Sequence, residues 1–189
     1  MAFRSLAPGF LVASPPLGDP NFDRTVVLLA IHNAEGALGF VVNRAAPVNV
    51  GELLSHAGYE GDHDDVTPVW IGGPVQPQSG WVLSDDPALE GEGVLEVGPR
   101  LRVSSSREAF DALAEPPSGP APRRLVLLGY SGWGPAQLES EIARGAWLPV
   151  PLDAGVLFDC AAEERWERAY ALLGLTPGHL MSMRHGGEA

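Results

Sequence analysis

One cysteine, Cys160, is all the thiol chemistry this chain of 189 residues carries. A single thiol excludes an internal disulfide and any thiolate-rich metal site, and it fits a reducing compartment. No uninterrupted apolar stretch approaches the roughly 18 residues that a membrane-spanning helix needs. The opening MAFRSLAPGF lacks the apolar core of a secretory signal, so the expected location is cytoplasmic, away from any membrane. Positive charge is also scarce. Twelve basic residues stand against 24 acidic ones, a net charge of −12, and like charge repels phosphate at every approach. That weighs against nonspecific binding to nucleic acid. The arginine groups Arg100, Arg102 and Arg107, or Arg123 and Arg124, are too small to reverse it and read as solvated. The five histidines (His32, His56, His63, His179, His185) show neither the helical pairing nor the clustering of a zinc site. No internal repeat is present.

What is there is enough for one domain with a real core. A chain of this length buries about two-thirds of its unfolded surface, and 45% hydrophobic with 19% charged residues is the balance of a globular protein. Glycine (23) and proline (18) exceed a fifth of the chain, which predicts many turns and short elements. The domain spans 1–189, with an ordered core over about 6–175 and a flexible tail over 176–189.

Gly9 to Ala13 reads as a first strand. Thr25 to Ile31, continuous and rich in β-branched residues, reads as a strand buried on both faces. HNAEG then turns into Ala37 to Val42, giving a hairpin. Asn49 with Glu52 forms an amino-terminal cap pattern for a short helix to Ala57, ended by Gly58. Pro68 to Gly73, Gly80 to Leu83, Val94 to Val97 and Arg100 to Val103 read as short strands. Ser105 with Glu108 caps a further helix. Val156 to Phe158 is strand-like, and a last helix runs from Asp159 or Cys160 to about Leu173, with Trp166, Ala169 and Tyr170 inward and Arg165 among the outward charges. About four helices and seven or more short strands, without regular βαβ alternation, make an α+β fold around a strongly curved mixed sheet.

The most informative stretch is Arg124 to Leu148. An apolar run (Leu125 to Leu128) leads into a glycine-rich elbow (Gly129, Gly132, Gly134), then Pro135 at the first turn of a helix that Gly145 ends. Leu138 and Ile142 lie four apart and face the sheet, while Glu141 and Arg144 read as a surface pair.

These blocks resemble the YqgE/AlgH family of bacterial proteins. The resemblance rests on GFLVASPPLGDPNF (Gly9 to Phe22), AIHNAEGALGFVVNR (Ala30 to Arg44), IGGPV (Ile71 to Val75), LGYSGWGPAQLESEI (Leu128 to Ile142) and AWL (Ala146 to Leu148), with VLFDCAAEERW (Val156 to Trp166) weaker. It implies a compact domain whose sheet bends into a pseudo-barrel flanked by helices. It implies little about activity, members being often labelled transcriptional regulators. Two departures stand out: Ser131 where the family often has alanine, and Ala136 where it often has glycine before Gln137.

Named chemistries fail at identifiable positions. A serine nucleophile elbow needs glycine two residues before and two after the serine; Gly129 fits Ser131, but Trp133 does not. A phosphate loop needs a Gly-Lys-Ser/Thr ending, and a dinucleotide loop needs a glycine where Gln137 stands. A generic anion or small-ligand site survives, bordered by Gly129, Tyr130, Ser131, Gly132, Trp133 and Gln137, by the hairpin residues His32 and Asn33, and by Gly72 and Gly73 as a second backbone concavity facing the elbow. The reading is a non-enzymatic regulatory or interaction module whose partner is a protein or a small ligand held in such a pocket, with no cofactor or metal; a homodimer is compatible with it. Two alternatives stand beside it. One is an enzyme on a small anionic metabolite, using elbow amides with a carboxylate or His32. The other is a regulator that binds DNA directly.

Overall fold

A computed structural model describes residues 3–15, 23–61, 63–176 and 178–179. The expected flexible tail lies, apart from Thr176, Gly178 and His179, outside the described residues.

The amino-terminal half is a meander. Strand β1 (Gly9–Ala13) pairs antiparallel with β2 (Val26–Asn33), and β2 with β3 (Gly36–Val41). The turn between β2 and β3 forms because Asn33 Oδ1 accepts the Glu35 amide at 2.9 Å. Strand β4 (Ala45–Asn49) leads into helix α1 (Val50–His56), whose capping box is complete: Asn49 Oδ1 accepts the Glu52 amide at 2.8 Å and Glu52 Oε2 accepts the Asn49 amide at 2.9 Å. Next come β5 (Pro68–Ile71), β6 (Val75–Ser84), β7 (Val94–Glu96), β8 (Arg102–Ser104) and α2 (Arg107–Ala114). The ten-residue β9 (Arg124–Trp133), α3 (Gln137–Ala143), β10 (Trp147–Val150), α4 (Ala154–Phe158), one 3-10 turn (Ala162–Glu164) and α5 (Arg165–Ala171) complete the described chain.

The strands order as β10-β1-β2-β3-β9-β6-β8-β7, with β4 paired to β5 and β5 parallel to β9. They form one curled sheet, a half-barrel in a single α+β domain with five α-helices among the described residues. Strand β9 is its spine. Its first part pairs with β5 and β6, and its last three residues pair with β3.

The β1–β2–β3 region is buried on both faces. Phe10, Leu28 and Phe40 stand opposite one another and face one cluster, while Leu11, Val27 and Val41 in the neighbouring row face another. The first cluster is covered by α5, which sends Trp166, Ala169 and Tyr170 inward. The Trp166 indole N–H and the Tyr170 hydroxyl both donate to the Ala13 carbonyl at 2.9 Å, filling its two lone-pair sites. A third cluster lies under α1 and α2, around Val50, Leu54, Val69 and Val126.

The structure corrects several expectations. Val156 to Phe158 is helical, because Asp153 Oδ1 accepts the Gly155 amide at 2.7 Å and starts a turn. Ser106, not Ser105, caps α2. The last helix begins only at Arg165 and ends at Ala171, so Leu173 lies beyond it and is 36% exposed. Arg165 is buried: its guanidinium lies 4.7 Å over the Trp70 ring and donates to the Val42 carbonyl. Burial pushes its pKa below the ordinary arginine value, opposed by the neighbouring Cys160.

The glycine-rich elbow is also redrawn. Gly129 and Gly132 lie inside β9, and the chain turns only at Gly134 to Ala136. Gly129 takes φ +69°, and a Cβ there would come within 2.5 Å of the Gly73 carbonyl and 2.9 Å of the Val75 carbonyl. The glycines therefore let two backbones touch. Gly129→Ala combines left-handed strain with this overpacking and is expected to destabilise the fold by about 2–4 kcal/mol, read from the midpoint of a urea unfolding curve at unchanged slope.

Candidate functional site

Successive antiparallel pairings leave β9 and β10 running in the same direction, so α3 is a crossover that passes over β3, β2 and β1. Its seam is Leu138 and Ile142, as the four-residue spacing predicts, and both pack on the second cluster. At about 100° per residue, Glu139 and Glu141 fall on opposite flanks of that seam. Each carboxylate finds a different partner on the sheet.

On one flank, Glu139 Oε1 meets His32 Nε2 at 3.1 Å. His32 Nδ1 accepts the Leu6 amide at 3.0 Å, so in the neutral ring the proton sits on Nε2 and is donated to Glu139. The His32 side chain is only 2% exposed against 42% for Glu139, with the Phe3 ring edge-on at 4.8 Å. His32 thus has the partner that the sequence did not reveal.

On the other flank, Glu141 is a hub rather than half of a surface pair. The indole N–H groups of Trp133 and Trp147 both donate to Glu141 Oε2 at 2.8 Å, and the Gln137 amide donates to Oε1 at 3.0 Å. Gln137 Oε1 in turn accepts the Gly134 amide at 3.0 Å. The two indoles, from separate strands of the curled sheet, pack edge to face at 6.0 Å. Arg144 turns instead to Ser140, its Nη2 3.1 Å from the Ser140 hydroxyl. Pro135 sits one position before the cap, and Ala136 occupies the cap itself with φ +60°. A glycine, the residue that the family resemblance implies before Gln137, would take this left-handed conformation without strain.

The remaining candidate residues are placed as follows. Ser131 is 1% exposed and donates its hydroxyl to the Gly72 carbonyl at 3.2 Å. Gly72 and Gly73 do face Gly129, Tyr130 and Ser131, but in direct backbone contact: a Cβ on either would run into Gly129 or Tyr130 main-chain atoms. The Tyr130 ring lies against Trp81. Gly132 is uncrowded: a Cβ there would meet only the Tyr130 ring, in ordinary contact at 3.8 Å. Asn33 is used by its own turn. His32 and Trp133 lie under α3, which itself carries Gln137, whereas Gly72, Gly73, Gly129 and Ser131 form a packed backbone joint. Burial pushes the Cys160 thiol above its ordinary pKa, against the pull of Arg165 and Arg168. Among the described residues no group of three or more His, Cys, Asp or Glu is placed to hold a metal ion. No helix among them is long and apolar enough to cross a membrane.

Glu139, Glu141, Trp147 and Leu6 were not among the sequence candidates. One signal could have found the hub: two tryptophans close the ends of the helix segment, and a buried indole N–H needs an acceptor.

Two broad clefts lie elsewhere. One, of about 770 Å³, is lined by the proline-rich loop with Asp85, Asp86, Arg123 and Arg124; the other, of about 810 Å³, by Arg24, Trp166 and Arg168. A smaller cavity of about 350 Å³ lies between α1 and α2.

A curled half-barrel with a short helix strapped across it by two glutamates defines a recognisable class. The AlgH-like profile (DUF179) matches residues 10–178, and the chain belongs to that family. It is 46% identical over 193 residues to a UPF0301 protein of Anaeromyxobacter dehalogenans, covering 97% of this chain and 96% of the relative. A UPF0301 protein of Xanthomonas campestris is 42% identical over 173 residues, 90% of each chain. The solution structure of the AlgH protein from Pseudomonas aeruginosa superposes with a TM-score of 0.76 at 37% identity, covering 96% of this chain and 97% of that one. A Corynebacterium diphtheriae protein shares the fold at TM-score 0.67 and 21% identity, over 90% and 88% of the two chains.

Three substitutions, followed by their stability, test the strap. Glu141→Ala strands two indole donors and is expected to cost about 2–4 kcal/mol. Glu141→Gln is expected to cost less, because its amide oxygen still accepts both indoles while its NH2 opposes the Gln137 NH2. Ala136→Gly relieves a left-handed alanine and is expected to stabilise by about 0.5–1 kcal/mol, seen as a raised Tm.

Proposed function

We propose that this protein is a non-enzymatic cytoplasmic binding module that acts through a small ligand and a protein partner. The observation that carries this reading is how completely the reactive side chains are spent. The Ser131 hydroxyl is given to a carbonyl, both His32 nitrogens are engaged, and both Glu141 oxygens accept hydrogen bonds. A serine nucleophile needs a base to take its proton, where Ser131 has only a carbonyl, and a general base needs an open nitrogen or oxygen facing substrate. His32 and Glu141 hold α3 and the amino-terminal segment in place, and Ser131 ties the backbone joint at Gly72. The net charge of −12 favours protein or small-molecule partners over phosphate backbones, so any role in transcription runs through a partner.

One observation favours the second reading, an enzyme on a small anionic metabolite. The half-exposed Glu139 on the buried His32 is a proton-relay geometry that displacement of residues 3–6 would open. Turnover assays separate the two. Against a panel of chromogenic carboxyl esters and phosphomonoesters, the expected result is no rate above the Ser131→Ala and His32→Asn variants. Turnover lost in either folded variant would overturn the binding-module reading. In a gel-shift the expected result is no sequence-selective, salt-sensitive complex with DNA.

A further inference from the structure

The third core cluster is unfinished at one end. Leu53 on α1, Phe110 on α2 and Leu128 on β9 pack against its edge yet stay only half-buried. They surround the cavity of about 350 Å³ between the two helices, a volume within the usual range for small-ligand sites, which are mostly apolar with a few polar groups. The Phe110 ring that walls it is set by Gly80 beneath: a Cβ there would lie 2.6 Å from the ring's Cζ. No other residue lets the ring lie so close to β6.

The cavity's charge runs against that of the protein. In a chain with twice as many acids as bases, the charged residue among the described lining positions is Arg107. Its neighbour Asp111, 3.8 Å from the Arg107 Nε, already accepts the Tyr59 hydroxyl at 2.8 Å. A guanidinium carries five N–H donors, so Arg107 has donors to offer, and the Gln78 amide stands at the same rim.

We propose that this cavity binds a small amphipathic carboxylate, its apolar body against Leu53, Phe110 and Leu128 and its carboxylate on Arg107. The proposal rests on the binding-module reading and gives that module a site distinct from the α3 strap. The charge decides the ligand class: an apolar cavity alone accepts any greasy molecule, whereas a cation at its mouth selects an acid over the isosteric amide.

The test is a 1H–15N NMR titration of the full chain with 4-phenylbutyrate and, separately, with 4-phenylbutanamide. The expected result is saturable shifts at backbone amides of 53–59, 78–80, 107–110 and 128, with the acid binding roughly tenfold tighter than the amide. Arg107→Gln, at a side chain 85% exposed, should bring the acid down to the amide's affinity without disturbing the fold. Ala57→Phe, on an exposed lining position, should fill the mouth and abolish both. The proposal is overturned if neither probe gives a saturable shift, or if acid and amide bind equally. It is also overturned if the shifts cluster around His32 and Trp133, an outcome that leaves the binding-module reading standing. Loss of that reading would show instead as turnover in the ester and phosphoester panel.

Discussion

A sheet buried on both faces must be covered on both faces, and here the covers are short. Helices α3 and α5 have seven residues each, too few to be stable alone in water and with limited apolar area to anchor them. Each is therefore fixed by a directional device in which one oxygen accepts two aromatic donors. For α5 the acceptor is the Ala13 carbonyl, which takes Trp166 and Tyr170. For α3 the roles reverse: the sheet supplies the indoles of Trp133 and Trp147, and the helix supplies the Glu141 carboxylate. Apolar burial provides the attraction in both cases, and the shared acceptor fixes where each helix sits.

The same economy explains why residues that look chemical behave structurally. Seen in the sequence, Ser131 and the glycines around it suggest a nucleophile elbow that only Trp133 spoils. In the fold they answer a packing problem, because strands β5, β6 and β9 approach so closely at Gly72, Gly73 and Gly129 that side chains are excluded. The one hydroxyl in that joint satisfies a carbonyl. Polar groups there are costly unless paired, so pairing takes precedence over reactivity.

Much of this was legible beforehand for a physical reason. The unbroken β-branched run of β2 announced two-sided burial, the Asn49–Glu52 spacing announced a helix start, and Leu138 with Ile142 announced the seam of α3. What escaped depends on distance in the chain. Pairing of Glu139 with His32 spans 107 residues and leaves no local mark. Strand β4 carries Pro47 and is partly exposed, so periodicity gave it no signature. The three apolar residues 156–158 fit a strand as well as a helix, and only the cap at Asp153 separates the two. Arg165 opens its helix next to a cluster of charges, and its burial depends on Trp70 and Val42 lying beneath it.

The crossover of α3 has a kinetic side. Strand β1 is held between β2, its near neighbour, and β10, which lies more than 130 residues further along the chain. The β2–β3 hairpin is local and closes early, whereas the β1–β10 ladder waits until almost the whole chain is available, a slow non-local step. Until then β1, buried on both sides in the finished fold, offers a bare and wholly apolar edge to any other strand. A nascent chain that stops short of Trp147 keeps that edge open, and its main hazard is association with its own copies.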